Sequence, residues 1–163
     1  MTSSPMNEKE FTRLIRQHSG IINKVSYFYA TEQTPFDDLR QEIYINIWQG
    51  LSQYRGDSKI STWIYRVAVN SALMTIRSSR PRIETVTFDF ALPDISSELD
   101  DAQRENLQTL YMLINRLEDI EKAIILLWLD ELPYEEIAKT LDLKRNTVAT
   151  KIHRIKEKLS NSL

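Results

Sequence analysis

Apolar residues recur every three or four positions along most of the chain, which is the spacing of one buried face on an α-helix. In the C-terminal third, this pattern predicts one helix after the capping candidates Asp100 and Asp101, and a second that begins at Asp119. The second helix should end near Leu132-Pro133, because proline restricts the residue before it. The inward positions of these two helices are Leu107, Leu110, Tyr111, Ile114, Leu117, Ala123, Ile124 and Leu127.

The end of the chain has the pattern of a short helix, a tight turn and a longer basic helix. Residues 134–141 predict the short helix, with Ile137, Ala138 and Leu141 facing inward. Asp142-Leu143 turns the chain without a glycine, because aspartate tolerates the backbone conformation of such turns. The last helix then buries a stripe made of Val148, Ile152, Ile155 and Leu159.

Polar side chains surround that last stripe and form a candidate DNA-reading surface. They are Lys144, Arg145, Asn146, Thr147, Thr150, Lys151, His153 and Arg154. The second helix of a helix-turn-helix enters the major groove, where Arg, Lys and Asn match base edges and hydroxyls match phosphates. An amphipathic surface helix with solvated charges is the alternative, but six basic residues against Glu157 alone favour DNA contact.

In the N-terminal half, the pattern predicts a helix that begins at Pro35, with Thr34 as its cap and Asp37 reaching back to it. Leu39, Ile43 and Ile47 lie four residues apart and should pack inward. A different, acidic and partly apolar face carries Asp38, Gln41, Glu42, Ile45 and Gln49. These carboxylates can complement the helix dipole or meet the arginines of a partner, and the residues alone leave both interpretations open.

After the polar loop SQYRGDSK, a second long helix is predicted from near Ser61 toward Ser79. Its buried side should hold Ile60, Ile64, Val67 and Met74. Its polar side, which suits a nucleic-acid backbone, carries Thr62, Arg66, Asn70 and Arg77. Trp63 can stack on an exposed base, a contact worth about 1 to 3 kcal/mol, or fill the core, and Tyr54 and Tyr65 share this ambiguity. Earlier packing positions are Phe11, Leu14, Ile15, Ile22 and Val25.

Charge divides the chain into three parts. Residues 1–82 hold 11 basic and 7 acidic side chains, residues 83–103 hold 6 acidic and no basic ones, and residues 104–163 hold 10 of each. The middle part has neither helical nor alternating periodicity. We therefore expect an all-α protein in which two small helical domains, 1–82 and 104–163, are joined by a flexible acidic linker, 83–103.

Composition argues against several kinds of active site. The 163 residues include no cysteine and two histidines, which excludes a zinc cluster, a thiol nucleophile and a disulfide framework. Three glycines leave no phosphate-binding loop. No apolar run approaches the roughly 20 residues of a membrane span, and the N-terminus lacks a signal segment. We expect a soluble cytoplasmic protein without catalytic residues, metal or cofactor.

Two stretches resemble one known family. YEEIAKTLDLKRNTVATKIHRIKEKL resembles the promoter-reading helix-turn-helix of bacterial sigma factors of the extracytoplasmic-function (ECF) group in the sigma-70 family. DLRQEIYINIWQGLSQYRGDSKISTWIYRVAVNSALMTIR resembles the domain of the same family that binds core RNA polymerase and opens the minus-ten element. The chain departs from the family's usual residues at Asp142, Lys144 and Asn146 in the first stretch and at Met74 in the second.

The resemblance implies a transcription initiation factor that binds core polymerase at its clamp coiled coil and flap, reads two promoter elements, and is inhibited by an anti-sigma factor. Core binding is implied for Asp38, Gln41, Glu42, Ile45, Asn46 and Gln49. Capture of an unstacked minus-ten base is implied for Tyr54, Ser58, Lys59, Thr62, Trp63, Arg66, Asn70 and Arg77. Reading of the minus-thirty-five element is implied for the polar residues of the last helix named above.

Two other functions compete with this interpretation. An ordinary helix-turn-helix regulator would use its N-terminal domain to sense a ligand or to dimerise. A nucleotide-handling enzyme would hold a metal with Asp37, Asp38 and Glu42, but a phosphate loop and a second acidic cluster at suitable spacing are missing from the sequence.

Overall fold

The computed structural model describes residues 6–78 and 99–162, and the chain divides into two compact units. Within these residues, regular secondary structure consists of helices without a strand, so the all-α prediction is confirmed. Most of the predicted linker, residues 83–98, lies outside the described residues. Its last three residues, 101–103, belong to a helix, because Asp100 caps that helix in the way the sequence predicted.

The first unit contains α1 (Glu8–Gln17), α2 (Ser19–Tyr29), α3 (Phe36–Gly50) and α4 (Ile60–Ser78). A short 3₁₀ turn, Leu51–Gln53, follows α3. Helices α2, α3 and α4 pack on one another around a core made of Ile22, Val25, Phe28, Tyr29, Leu39, Ile43, Ile47, Ile64, Tyr65, Ala68, Val69 and Ala72. The predicted inward positions of α3 are all buried, and Tyr65 is a core residue.

The start of α3 differs from the prediction. The helix begins at Phe36 with Pro35 as its N-cap, and no side chain caps it. The backbone N–H of Thr34 instead donates to Thr31 Oγ1 at 3.0 Å, which closes a turn before the helix. Asp37 does not reach back but binds Arg40 at 3.0 Å. The predicted cap is therefore wrong, because Thr34 belongs to a turn that ends before the helix begins.

The buried face of α4 is also rotated from the predicted one. Ile64 is fully buried as expected, but Met74 is 70% exposed. Ile60, Val67 and Met74 repeat every seven residues, and such a line drifts by about 20° per repeat on a straight α-helix. By Met74 the line has left the face that packs on α2 and α3, and small residues such as Ala68 and Ala72 occupy that face instead.

The second unit contains α5 (Asp101–Asn115), α6 (Asp119–Leu129), α7 (Tyr134–Leu141) and α8 (Arg145–Ser162). Asp100 accepts a hydrogen bond from the N–H of Gln103 at 2.7 Å, which caps α5. The core consists of Ile114, Ala123, Ile124, Ile125, Leu126, Leu127, Ile137, Val148, Ile152 and Ile155. The predicted inward positions of α6, Ala123, Ile124 and Leu127, are all among them, while Glu118 rather than Asp119 is the N-cap.

Candidate nucleic-acid and partner interfaces

The turn between α7 and α8 sets the position of the candidate DNA-reading helix. Asp142 adopts the left-handed conformation, with φ 54° and ψ 48°, and its N–H donates to the carbonyl of Ala138. The N–H of Leu143 donates to the same carbonyl at 2.9 Å. Two hydrogen bonds to the carbonyl of Ala138 therefore close the end of α7, and the chain turns there without a glycine, as the sequence predicted. Helix α8 then starts at Arg145.

Helix α8 presents its polar residues on the side away from the core. Its first acceptor is the carbonyl of Lys144, which receives the N–H of Val148 at 3.1 Å. Six predicted DNA-reading residues are exposed and two are half-buried. The exposed ones are Lys144, Arg145, Asn146, Thr150, His153 and Arg154, and the half-buried ones are Thr147 and Lys151. The buried stripe lies on the opposite side, which leaves this face accessible to a partner.

Some of these side chains are already engaged within the chain. Arg145 Nε donates to Glu135 Oε1 at 2.7 Å, and its guanidinium lies 5.5 Å from the centre of the Tyr134 ring. His153 Nε2 lies 3.3 Å from Glu157 Oε1. The backbone N–H of Glu135 and the Arg145 guanidinium both hydrogen-bond the Glu135 carboxylate and lower its pKa. Pattern analysis placed Arg145 on the surface but missed Glu135, which lies ten residues earlier on another helix.

A groove of about 470 Å³ lies between α3 and α4 in the first unit. Its lining residues are Glu42, Asn46, Trp63, Arg66, Val67, Asn70, Ser71, Met74 and Thr75. The groove joins residues that the sequence assigned to two separate interfaces, since Glu42 belongs to the acidic face of α3 and Arg66 and Asn70 to the polar side of α4. Thr62 and Arg77 are accessible on the same helix but do not line the groove.

Trp63 forms one wall of this groove and is half-buried. Its ring lies 5.5 Å from the ring of Tyr54 at an angle of 50°. The hydroxyl of Tyr54 donates to the carbonyl of Ser58, which ties the aromatic pair to the loop between α3 and α4. A Cβ at Gly50 would lie 3.1 Å from the indole, so this glycine allows the ring its close approach. Trp63 thus packs on the protein and keeps part of its surface accessible.

A partly buried hydrogen-bond chain links α3 and α4 in the wall of the groove. Asn46 Nδ2 donates to Ser71 Oγ at 2.8 Å, and Ser71 Oγ donates to the carbonyl of Val67 at 2.6 Å. Asn46 is therefore held against α4 rather than fully presented on α3. Sequence reasoning missed Ser71, although a polar residue among the apolar positions of α4 was a possible signal.

The outer face of α3 combines acidic and apolar surface. Asp38, Gln41, Glu42 and Gln49 are exposed, and Ile45 among them is 49% exposed. Trp48, one turn from Ile45, is 44% exposed, and its ring packs edge-on against Phe11 at 4.9 Å. Large apolar side chains within a polar rim are typical of protein-interaction surfaces. Trp48 was missing from the predicted interface.

Within residues 6–78 and 99–162, no group of three or more His, Asp or Glu side chains is arranged to hold a metal ion. Across the same residues, none of the helices combines the length and the apolar character that crossing a membrane requires.

Two family models match the chain, one on each unit. The Sigma-70 region 2 model matches residues 14–82, and the Sigma-70, region 4 model matches residues 107–159. The first match includes α3, the groove and α4, and the second includes the turn at Asp142 and the basic face of α8. The N-terminal match gives no support to a ligand-sensing or dimerisation domain.

Whole-chain comparisons agree with these matches. The ECF RNA polymerase sigma-E factor of Escherichia coli K12 is 34% identical over 96% of this chain and 88% of its own length. The protein with the same description from Haemophilus influenzae is 28% identical over 96% and 89%. Among solved structures, the sigma factor RpoE of Bartonella quintana, crystallised with the anti-sigma factor NepR, has a TM-score of 0.71 at 19% identity over 94% of this chain and 96% of its own. CnrH in complex with the cytosolic domain of CnrY has a TM-score of 0.63 at 20% identity over 95% and 88%. These two structures show a shared fold.

Proposed function

Because this chain belongs to the ECF group of the sigma-70 family of RNA polymerase sigma factors, we propose a role for each of its surfaces in transcription initiation. It is an initiation factor that binds core RNA polymerase and directs it to promoters. The observation that carries this conclusion is the match of region 2 and region 4, in that order, to the two helical units. Polymerase performs the chemistry, so this chain needs no catalytic site of its own. It acts where transcription takes place, in the cytoplasm.

The outer face of α3 docks on the clamp coiled coil of polymerase. Its carboxylates, including Asp38 and Glu42, meet basic side chains of the partner, and charge-assisted hydrogen bonds are stronger than neutral ones. Ile45 supplies apolar contact within this polar surface. Asn46 contributes less directly, because its amide already binds Ser71.

The groove between α3 and α4 receives an unstacked base of the minus-ten element. Base extrusion costs a few kcal/mol, which stacking and hydrogen bonds in a pocket offset. Trp63 offers the stacking surface, Asn70 offers hydrogen bonds, and Arg66 offers positive charge to the backbone. The loop residues Ser58 and Lys59 lie at the entrance to α4 and guide the strand.

The basic face of α8 reads the minus-thirty-five element in the major groove, while the second unit also contacts the polymerase flap. Polymerase holds the two weak DNA contacts in register. Once one contact has formed, the other forms at a high effective concentration, which raises their joint specificity. A free factor with a net charge of −2 avoids general capture by DNA. An anti-sigma factor is the expected inhibitor, since the sigma factor RpoE of Bartonella quintana, which shares this fold, was crystallised with the anti-sigma factor NepR.

Reconstitution with purified core polymerase tests this function. The full chain should form a stable complex with core polymerase and start specific transcripts without another sigma factor. Arg145→Ala with Lys151→Ala should weaken upstream-element binding and leave core affinity nearly unchanged, while Gln41→Ala with Glu42→Ala should do the reverse. A requirement for a second sigma factor would identify an ordinary helix-turn-helix regulator instead.

A further inference from the structure

The first residues of α7 hold the first residue of α8 across the helix-turn-helix. Arg145 binds Glu135 through its Nε at 2.7 Å and lies 5.5 Å from the ring centre of Tyr134. Tyr134 and Glu135 are the first two residues of α7, and Arg145 is the first of α8. Carboxylate and ring together restrict the guanidinium at the point where the candidate DNA-reading face begins.

The geometry of this contact leaves the outer end of the guanidinium available. The hydrogen bond uses Nε, and among the described residues no protein group hydrogen-bonds either Nη of Arg145. The two Nη groups form the end of a rigid fork whose spacing matches O6 and N7 of guanine. The side chain is 56% exposed in the free protein, so a partner can approach it.

The negative charge of Glu135 also changes which DNA group Arg145 prefers. A free arginine at a helix start is attracted to any phosphate, which carries no sequence information. A carboxylate beside the guanidinium offsets part of that attraction and repels phosphates itself. Exposed ion pairs contribute little to folding stability, so removing the Glu135 carboxylate should leave the fold intact.

We propose that Glu135 is a positioning residue that fixes Arg145 for bidentate contact with one guanine of the upstream promoter element. The inference rests on the function proposed above and adds a specificity-determining residue on α7, outside the DNA-reading helix.

The test measures base preference at each position of the upstream element. Holoenzyme is assembled from core polymerase and full-length chain, and its affinity is measured for promoter fragments that each carry one substituted base pair. The wild type should prefer G·C at one position by about tenfold, as expected for one bidentate pair. Glu135→Ala should reduce that preference by about threefold or more and leave preferences elsewhere unchanged. Glu135→Gln, which keeps an acceptor, should retain part of it.

A neighbouring carboxylate provides the matched control. Glu136 lies next in α7 and pairs with Lys139 of the same helix at 3.7 Å, so Glu136→Ala should leave the preference intact. Arg145→Lys keeps the charge but loses the two Nη donors of the guanidinium, so it should abolish the same preference. In the Arg145→Lys variant, adding Glu135→Ala should cause no further loss.

The inference is overturned if Glu135→Ala leaves every preference unchanged, or if it weakens binding equally at all positions. If the wild type starts specific transcripts, either result overturns only the positioning role of Glu135. A wild type that forms no complex with core polymerase overturns the proposed function as well.

Discussion

Ile45 provides a sharp test of the polymerase-binding face, because it is apolar, exposed and surrounded by polar residues of α3. A fully buried isoleucine gains about 1.5 to 3 kcal/mol from leaving water. Since Ile45 is 49% exposed in the free chain, docking can bury at most the remaining half. Ile45→Ala should therefore weaken core binding by about 1 kcal/mol, which is about fivefold in Kd.

Folding and docking effects separate cleanly at this position. Ile43, two residues earlier, is fully buried, and Ile43→Ala should cost about 2 to 5 kcal/mol of folding stability. Ile45→Ala should change folding stability by much less. Ile45→Glu should weaken docking far more than alanine, because an unpaired charge would be buried against the partner.

The assay is equilibrium binding of labelled chain to core polymerase without DNA, alongside urea denaturation of each variant. Met112→Ala is a suitable control, because Met112 is 54% exposed on α5 and lies outside every surface assigned to a partner here. If both Ile45 variants bind core polymerase within twofold of the wild type, the assignment of the outer α3 face to polymerase is refuted.

Three further predictions concern single side chains. Asp142→Gly should raise the free energy of unfolding by about 0.5 kcal/mol in urea denaturation, because the left-handed backbone strains a residue with a Cβ, whereas Asp142→Ala should lower it. Burial lowers the pKa of Lys122, so the unfolded chain binds more protons than the folded chain between that lowered pKa and the ordinary value of 10.5. The free energy of unfolding should therefore rise with pH across this interval, and the same rise in Lys122→Met would contradict this. Trp63→Ala should reduce promoter opening, measured by permanganate reactivity of unpaired thymines, by about 5-fold or more with core affinity retained, and Trp63→Phe should reduce it less. Loss of helical circular dichroism in Trp63→Ala would show that the indole is needed for folding instead.

Local sequence signals were sufficient to predict the helix-turn-helix. Pro133 and Asp142 flank α7, and the structure has that helix at the predicted residues because both signals act on the adjacent backbone. The apolar stripe of α8 was equally clear, since Val148, Ile152 and Ile155 are all buried. The family resemblance of both halves is confirmed by the two family matches.

Contacts between distant residues were beyond the reach of pattern analysis. The groove depends on a bond from Asn46 to Ser71, which are 25 residues apart, and the sequence does not show which helix faces will meet. The exposure of Met74 has a different cause, because the predicted line of Ile60, Val67 and Met74 repeats every seven residues and drifts away from the packed face of a straight helix. The wrong cap at Thr34 also has a local cause, since the backbone N–H of Thr34 binds the hydroxyl of Thr31, three residues earlier. DNA and polymerase roles of individual residues stay predictions.

The central claim is that two helical units, each weak on its own, read one promoter only when polymerase holds them. The most direct measurement compares the affinity of the free chain and of the reconstituted holoenzyme for the same mapped promoter and for a scrambled fragment at fixed salt concentration. We predict that the free chain binds both fragments weakly and equally, whereas the holoenzyme prefers the promoter by orders of magnitude. Tight, promoter-specific binding by the free chain, with no gain from core polymerase, would contradict the account.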